Sequence, residues 1–205
     1  MLNIIDLPGD SQNYDVIAEG VKASANVNGI SCEIGLRRGG GTKVIIDSFA
    51  ELGIKKTHIA IDPYGNIEYK PNDFVVQRLD YTNDMRDEAL PNIYTYAKLK
   101  KINFYFFNME DTEFFKRFSD GVPVYNEFKT IENVYSFVHF DGPHDVSSLE
   151  KEIEFFGTRT AVGGVWVFDD IHDYNHGLVE EEFILKSGFK KLDTRGRKAS
   201  YIKKD

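Results

Sequence analysis

The chain has 205 residues, enough for one domain with a full hydrophobic core and tight for two. Apolar residues make up 41%, with 16 Phe and 11 Tyr, so the composition is globular rather than disordered. A net charge of −8 argues against a general nucleic-acid surface, and the single Cys32 excludes an intramolecular disulfide.

The N-terminus lacks a basic region followed by a long apolar core, and no apolar run is long enough to span a bilayer. A cytoplasmic, membrane-free protein is therefore the expectation, with a small-molecule substrate and a homo-oligomeric state among its partners. Residues 1–29 read as a helical lead-in to a single domain covering 1–205. Within them, residues 11–25 carry Tyr14, Ile17, Ala18 and Val21 on one helical face. A short strand follows over Ile30–Leu36, then a helix over Thr42–Leu52 that ends at Gly53. Thr57–Ile61 is a strand stopped by Asp62-Pro63.

Residues 63–82 have no clear period. Residues 83–99 predict a helix interrupted or restarted at Pro91. Ile102–Phe107, a continuous apolar and aromatic run, predicts a strand buried on both faces. A helix over Asp111–Phe118 precedes an irregular stretch, 119–133. Val134–Phe140 is the next strand and Val146–Phe156 the next helix, with Val146, Leu149, Ile153 and Phe156 facing the core. Gly163-Gly164 opens a strand over Val165–Phe168, residues 176–187 form a helix, and the tail reads as a hairpin around Arg195-Gly196-Arg197. Alternating strands and helices imply a parallel sheet with right-handed crossovers, where ligands bind beyond the carboxyl ends of the strands.

The motifs fall at those ends. After the first strand, the positions of a Gly-x-Gly-x-x-Gly turn are Gly35, Arg37 and Gly40. The bulky middle residue argues against a dinucleotide pyrophosphate, and Gly41-Thr42-Lys43 has the wrong order for a phosphate loop. What remains is Glu33-x-Gly35-x-x-x-Gly39. Asp62 ends the second strand, where its two oxygens match the two hydroxyls of a ribose; as the residue before Pro63 it would equally begin a turn. Asn108-Met109-Glu110-Asp111 ends the third, with helix capping as the plainer role of Asn108 or Asp111. Two later strands end in Asp141-Gly-Pro-His144 and in Asp169-Asp170. Three crowded carboxylates repel one another, and a hard divalent cation relieves that repulsion. His144 is placed to act as a base near neutral pH.

The glycine turn resembles the first motif of class I S-adenosylmethionine-dependent methyltransferases. Asp-Gly-x-His and Gly-Gly-x-x-x-x-Asp-Asp are similar to a branch that groups small metal-dependent O-methyltransferases with cephalosporin-hydroxylase-like and macrocin-type enzymes. The resemblance covers roughly residues 30–170. It implies an α/β, Rossmann-like doubly wound seven-stranded sheet, ordered 3-2-1-4-5-7-6 with strand 7 antiparallel and helices on both faces.

By that resemblance S-adenosylmethionine would lie on Glu33, Gly35, Arg37, Gly39, Gly40, Thr42, Asp62, Asn108, Met109, Glu110 and Asp141. A divalent metal, Mg²⁺ first, would lie on Asp141, Asp169 and Asp170, and His144 and Asp141 would be the catalytic pair. The implied reaction is O-methylation of a sugar or a phenolic compound. A hydroxylase-like nucleotide-cofactor enzyme and a non-catalytic adenosylmethionine-binding protein are the alternatives.

Overall fold

The structure, a computed structural model, describes residues 5, 7–9, 11–65, 68, 69, 78, 79 and 81–204. Seven strands form one sheet: β1 (Ile30–Ile34), β2 (Thr57–Ile61), β3 (Asn103–Phe107), β4 (Tyr135–Phe140), β5 (Thr160–Phe168), β6 (Phe189–Arg195) and β7 (Lys198–Lys203). Their spatial order is β3-β2-β1-β4-β5-β7-β6. β1 pairs in parallel with β2 and β4, β2 with β3, and β4 with β5. β7 runs antiparallel to both neighbours. This is the predicted sheet, including the reversed seventh strand.

The helices are α1 (Tyr14–Ala23), α2 (Gly40–Glu51), α3 (Asn83–Lys100), α4 (Asp111–Arg117), α5 (Val146–Gly157) and α6 (His176–Val179), the last running into a π-helical turn over Glu180–Ile184. Thr82 caps α3 by accepting the Met85 N–H at 3.1 Å, and Asp145 caps α5 by accepting the Ser148 N–H at 3.0 Å. β1 and β2 are buried throughout because helices cover both faces. On one face Val16, Ile17 and Val21 of α1 pack with Ile45, Ile46 and Phe49 of α2 and Ile93 and Ala97 of α3. On the other, Leu149, Ile153 and Phe156 of α5 pack against Phe140, Trp166 and Phe168. Among the described residues no helix is long and apolar enough to cross a membrane.

Four expectations change. The helix over 83–100 runs straight through Pro91, whose exposed position lets the missing N–H fall on the solvent side. β3 is an edge strand with only Phe104 buried, not a strand buried on both faces. The stretch 119–133 holds an antiparallel hairpin, Val122–Tyr125 with Lys129–Glu132, where irregular chain was expected. Most of 63–82 lies outside the described residues, although 68–69 and 78–79 pair antiparallel.

Candidate active site at the carboxyl ends of β1, β4 and β5

Beyond β1 the chain turns at Gly35, whose φ is +86°, in the left-handed region. A Cβ there would overlap the carbonyl oxygen of Asp141, so the turn after β1 and the end of β4 lie in backbone contact. The contact marks the switch point of the sheet, since β1 leads to β2 on one side and has β4 on the other. Asp62 holds the turn from the β2 side. Its Oδ2 accepts the N–H groups of Leu36 and Arg37, both at 2.9 Å, and its Oδ1 accepts that of Tyr64 at 3.1 Å. The Tyr64 hydroxyl donates to the Arg37 carbonyl. Burial raises Asp62 to about 6 in spite of those donors.

A cleft of about 330 Å³ opens beside this turn, walled by Ile34, Gly35, Asp62, Pro63, Tyr81, Glu110, Asp111, Gly142 and Lys151 among others. Of the residues expected at the cofactor, Gly35, Asp62 and Glu110 face it. Asn108 instead ties the end of β3 to β2, donating from Nδ2 to the Asp62 carbonyl at 3.2 Å and to the Pro63 carbonyl. Met109 packs on the apolar core. Gly39 and Gly40 start α2, close against Ile93 and against Tyr14 and the 8–9 segment respectively.

Glu33 and Thr42 lie under the glycine turn, away from the cleft. Thr42 donates its hydroxyl to Glu33 Oε2, while Glu33 Oε1 meets His139 Nδ1 at 2.9 Å. His58 extends the row, 3.3 Å from the Thr42 hydroxyl and 3.0 Å from that of Ser31. Burial pulls His58 down to about 4 despite the Glu33 carboxylate, so its ring is neutral. The register explains the row: Glu33 of β1 stands opposite His139 of β4, which stands opposite Val167 of β5. Side chains alternate along a strand, so His139 and Asp141 share a face, as do Val167 and Asp169.

Asp141 and Asp169 continue the ladders past the strands, their N–H groups donating to Ile34 and Phe140 carbonyls at 2.9 Å. Their carboxylates and His139 bring one ligand atom each within 4.8 Å of one another. Asp169 is also paired with Lys198, both fully buried, and Ser11 donates to the same Oδ2 at 2.8 Å. Burial works against ionisation of Asp169, but the Lys198 ammonium in contact with it holds it below the usual range. Asp170 departs from the expected grouping. Its backbone has a φ of +48°, and its carboxylate takes Arg197 Nε at 2.6 Å, while Arg197 also reaches Asp173 at 2.7 Å.

His144 lies over this rim, its Nε2 3.9 Å from Asp141 Oδ1 and its Nδ1 3.8 Å from Asp170 Oδ2. Its ring lies parallel to that of Tyr174, with centroids 6.1 Å apart. Burial outweighs the carboxylates around it and lowers its pKa, leaving the imidazole neutral. His139 and Lys198 are the site residues that sequence reasoning missed. The signal was present for His139, two residues before Asp141 in a strand; Lys198 is placed only by the hairpin register, in which Ala199 stands opposite Phe168.

No protein-family model matches the chain, and no curated protein matches it in sequence. Solved structures do match. The O-methyltransferase NovP superposes with a TM-score of 0.64 at 14% identity, over 94% of this chain and 79% of NovP. The calicheamicin methyltransferase CalS11 gives 0.62 at 11% identity, over 92% of this chain and 76% of its own. The O-methyltransferase from Bacillus cereus, in complex with SAH, gives 0.56 at 12% identity, over 96% and 84%. At these identities the likeness is one of architecture, and it agrees with the strand order and the reversed seventh strand: this chain has the Rossmann-like seven-stranded fold of the class I O-methyltransferases.

Proposed function

We propose that the chain is an S-adenosylmethionine-dependent O-methyltransferase acting on a small hydroxylated molecule, a sugar or a phenol, with a divalent cation assisting. The observation that carries this reading is the junction at the β1–β4 switch point. A cleft walled by Gly35 and Asp62 adjoins a rim of His139, Asp141 and Asp169 across the Gly35–Asp141 backbone contact. The similar structures are O-methyltransferases by name, and two of them hold SAM or SAH, which supports the same reading.

S-adenosylmethionine supplies a sulfonium-activated methyl group, and a divalent ion supplies positive charge that lowers the pKa of a nearby hydroxyl. The rim fits such an ion: two carboxylates and an imidazole nitrogen converge in a largely buried place. In this mechanism Asp62 would accept the ribose hydroxyls, and Glu110 lies on the wall where the base ring would rest. His144 takes the acceptor's hydroxyl proton at Nε2, while its Nδ1 side faces Asp170, itself held by Arg197. S-adenosylmethionine would supply its methyl carbon to the acceptor oxygen, with the electron pair of the carbon–sulfur bond left on sulfur. Most of the rate gain is then positioning and charge stabilisation.

Calorimetry with S-adenosylmethionine, with and without Mg²⁺, tests the reading. One site is expected. Asp62→Asn should weaken it about 10–100-fold, the worth of hydrogen bonds to a charged group. Methylated product from a panel of sugars and phenols should fall about 10²–10⁴-fold in rate in His144→Ala, at unchanged cofactor affinity. Absence of binding by the wild type, or equal affinity in Asp62→Asn, rejects it.

A further inference from the structure

His139 is completely buried, and its two nitrogens have opposite surroundings. Nδ1 faces Glu33 Oε1 at 2.9 Å. A carboxylate only accepts, so Nδ1 carries the hydrogen, and in a neutral ring Nε2 presents a bare lone pair. That Nε2 is buried with no hydrogen-bond partner among the described residues. One ring nitrogen of His139 and one oxygen each of Asp141 and Asp169 lie within 4.8 Å of one another, and Glu33 already takes Nδ1. A buried lone pair left without a partner is unfavourable unless something electropositive meets it. A carboxylate that fixes the tautomer of an imidazole whose other nitrogen is unpartnered beside carboxylates is the outer arrangement usual behind a metal-bound histidine.

The remaining neighbours agree. Asp169 Oδ2 takes Lys198 and Ser11, and Oδ1 takes only the Asp170 N–H at 2.7 Å, which leaves a lone pair on Oδ1. Asp170, the other acid of its pair, is committed to Arg197.

We propose that His139 is itself a ligand, through Nε2, of a divalent cation shared with Asp141 and Asp169, and that Glu33 is the residue positioning it. A nitrogen donor in the set selects Mn²⁺, Fe²⁺, Co²⁺ or Zn²⁺ over Mg²⁺ and Ca²⁺, which prefer all-oxygen shells. The inference rests on the preceding reading only in taking this rim to be a cation site.

The test uses the full chain and Mn²⁺. Pulsed electron paramagnetic resonance of the bound ion should show coupling to a ¹⁴N nucleus, and competition should show Mn²⁺ preferred over Mg²⁺. His139→Gln should remove the coupling and weaken Mn²⁺ by about 10–100-fold or more. His144→Ala and Asp170→Asn should both keep the coupling. The wild-type spectrum with that of His144→Ala decides the point even if His139→Gln fails to fold.

Bound Mn²⁺ without nitrogen coupling, coupling lost in His144→Ala, Mg²⁺ preferred, or no Mn²⁺ binding overturns the inference. S-adenosylmethionine binding on the same samples keeps the two readings apart. If the cofactor binds while His139 proves not to be a ligand, the methyltransferase reading stands. If the cofactor does not bind, that reading falls whatever the Mn²⁺ spectrum shows.

Discussion

Both faces of the central sheet are apolar, but only one of them threads a buried polar row through its core. Toward α5 and α6 the strands present Cys32, Ile34, Val138, Phe140, Trp166 and Phe168. Phe140 and Phe168 stack with centroids 4.3 Å apart, and Trp166 stacks on Phe189 at 3.6 Å. Toward α1, α2 and α3 the strands interleave Ala60, Phe137, Val165 and Val167 with Ser31, Glu33, His58, His139, Lys198 and Ser200, all buried. Large apolar side chains contribute about 1.5–3 kcal/mol each on burial, whereas a hydrogen bond nets about 0.5–1.5 kcal/mol after desolvation. The aromatic face therefore carries the stability, and the polar row adds little beyond fixing where each group stands. Glu152, fully buried on the aromatic side, is pushed far above the usual carboxylate range by burial and then by Asp111, so it is neutral there.

The largest effect that would sharpen this contrast is Trp166→Ala. It should cost about 3–5 kcal/mol in urea unfolding, with unchanged cofactor affinity per folded molecule. A loss under about 1 kcal/mol would break the division of labour. On the polar face, Lys198→Met should be nearly as damaging, about 3–5 kcal/mol, because it strands the buried Asp169 charge. Pairing it with Asp169→Asn should recover most of that loss in thermal melts, which no aromatic-face double variant should do.

A smaller effect follows from Asp62. Its folded pKa of about 6 lies above the unfolded value of 3.8, so the folded state binds the extra proton between those values. Its contribution to stability is full below pH 3.8 and is lost as pH rises toward 6. Ribose hydroxyls require the ionised form, so cofactor affinity should rise over the same window and level off above about pH 6; calorimetry from pH 5 to 8 checks this, with Asp62→Asn flat. The smallest effect should be that of Lys186→Ala, which removes an exposed pair with Glu182 and should shift stability by less than about 0.5 kcal/mol.

The parallel sheet was legible because apolar strand runs alternate with helical periods, and an antiparallel strand because the tail reads as a hairpin; the strand order came from the family resemblance alone. β3 was misplaced since an aromatic run looks alike at an edge and at the centre: Phe107 is covered by Phe114 and Phe118 from α4, not by a further strand. The hairpin at 122–132 was hidden because Lys129–Glu132 is largely exposed and shows no burial alternation.

In the site, Gly35, Asp62, Asp141 and Asp169 could be read directly, each sitting at a strand end. Glu33 could be located but not aimed; its partner His139 lies 106 residues away, and only the parallel register brings them together. The same holds for Lys198, 29 residues beyond Asp169.

The backbone contact between Gly35 and Asp141 has a mechanical consequence. With no side-chain cushion between them, the first turn and the tip of the fourth strand cannot shift independently. Were a cofactor on one side of that junction to move it, linkage would make the influence on an ion at the other side mutual: whatever factor one occupant applies to its neighbour's dissociation constant, the neighbour returns in equal measure.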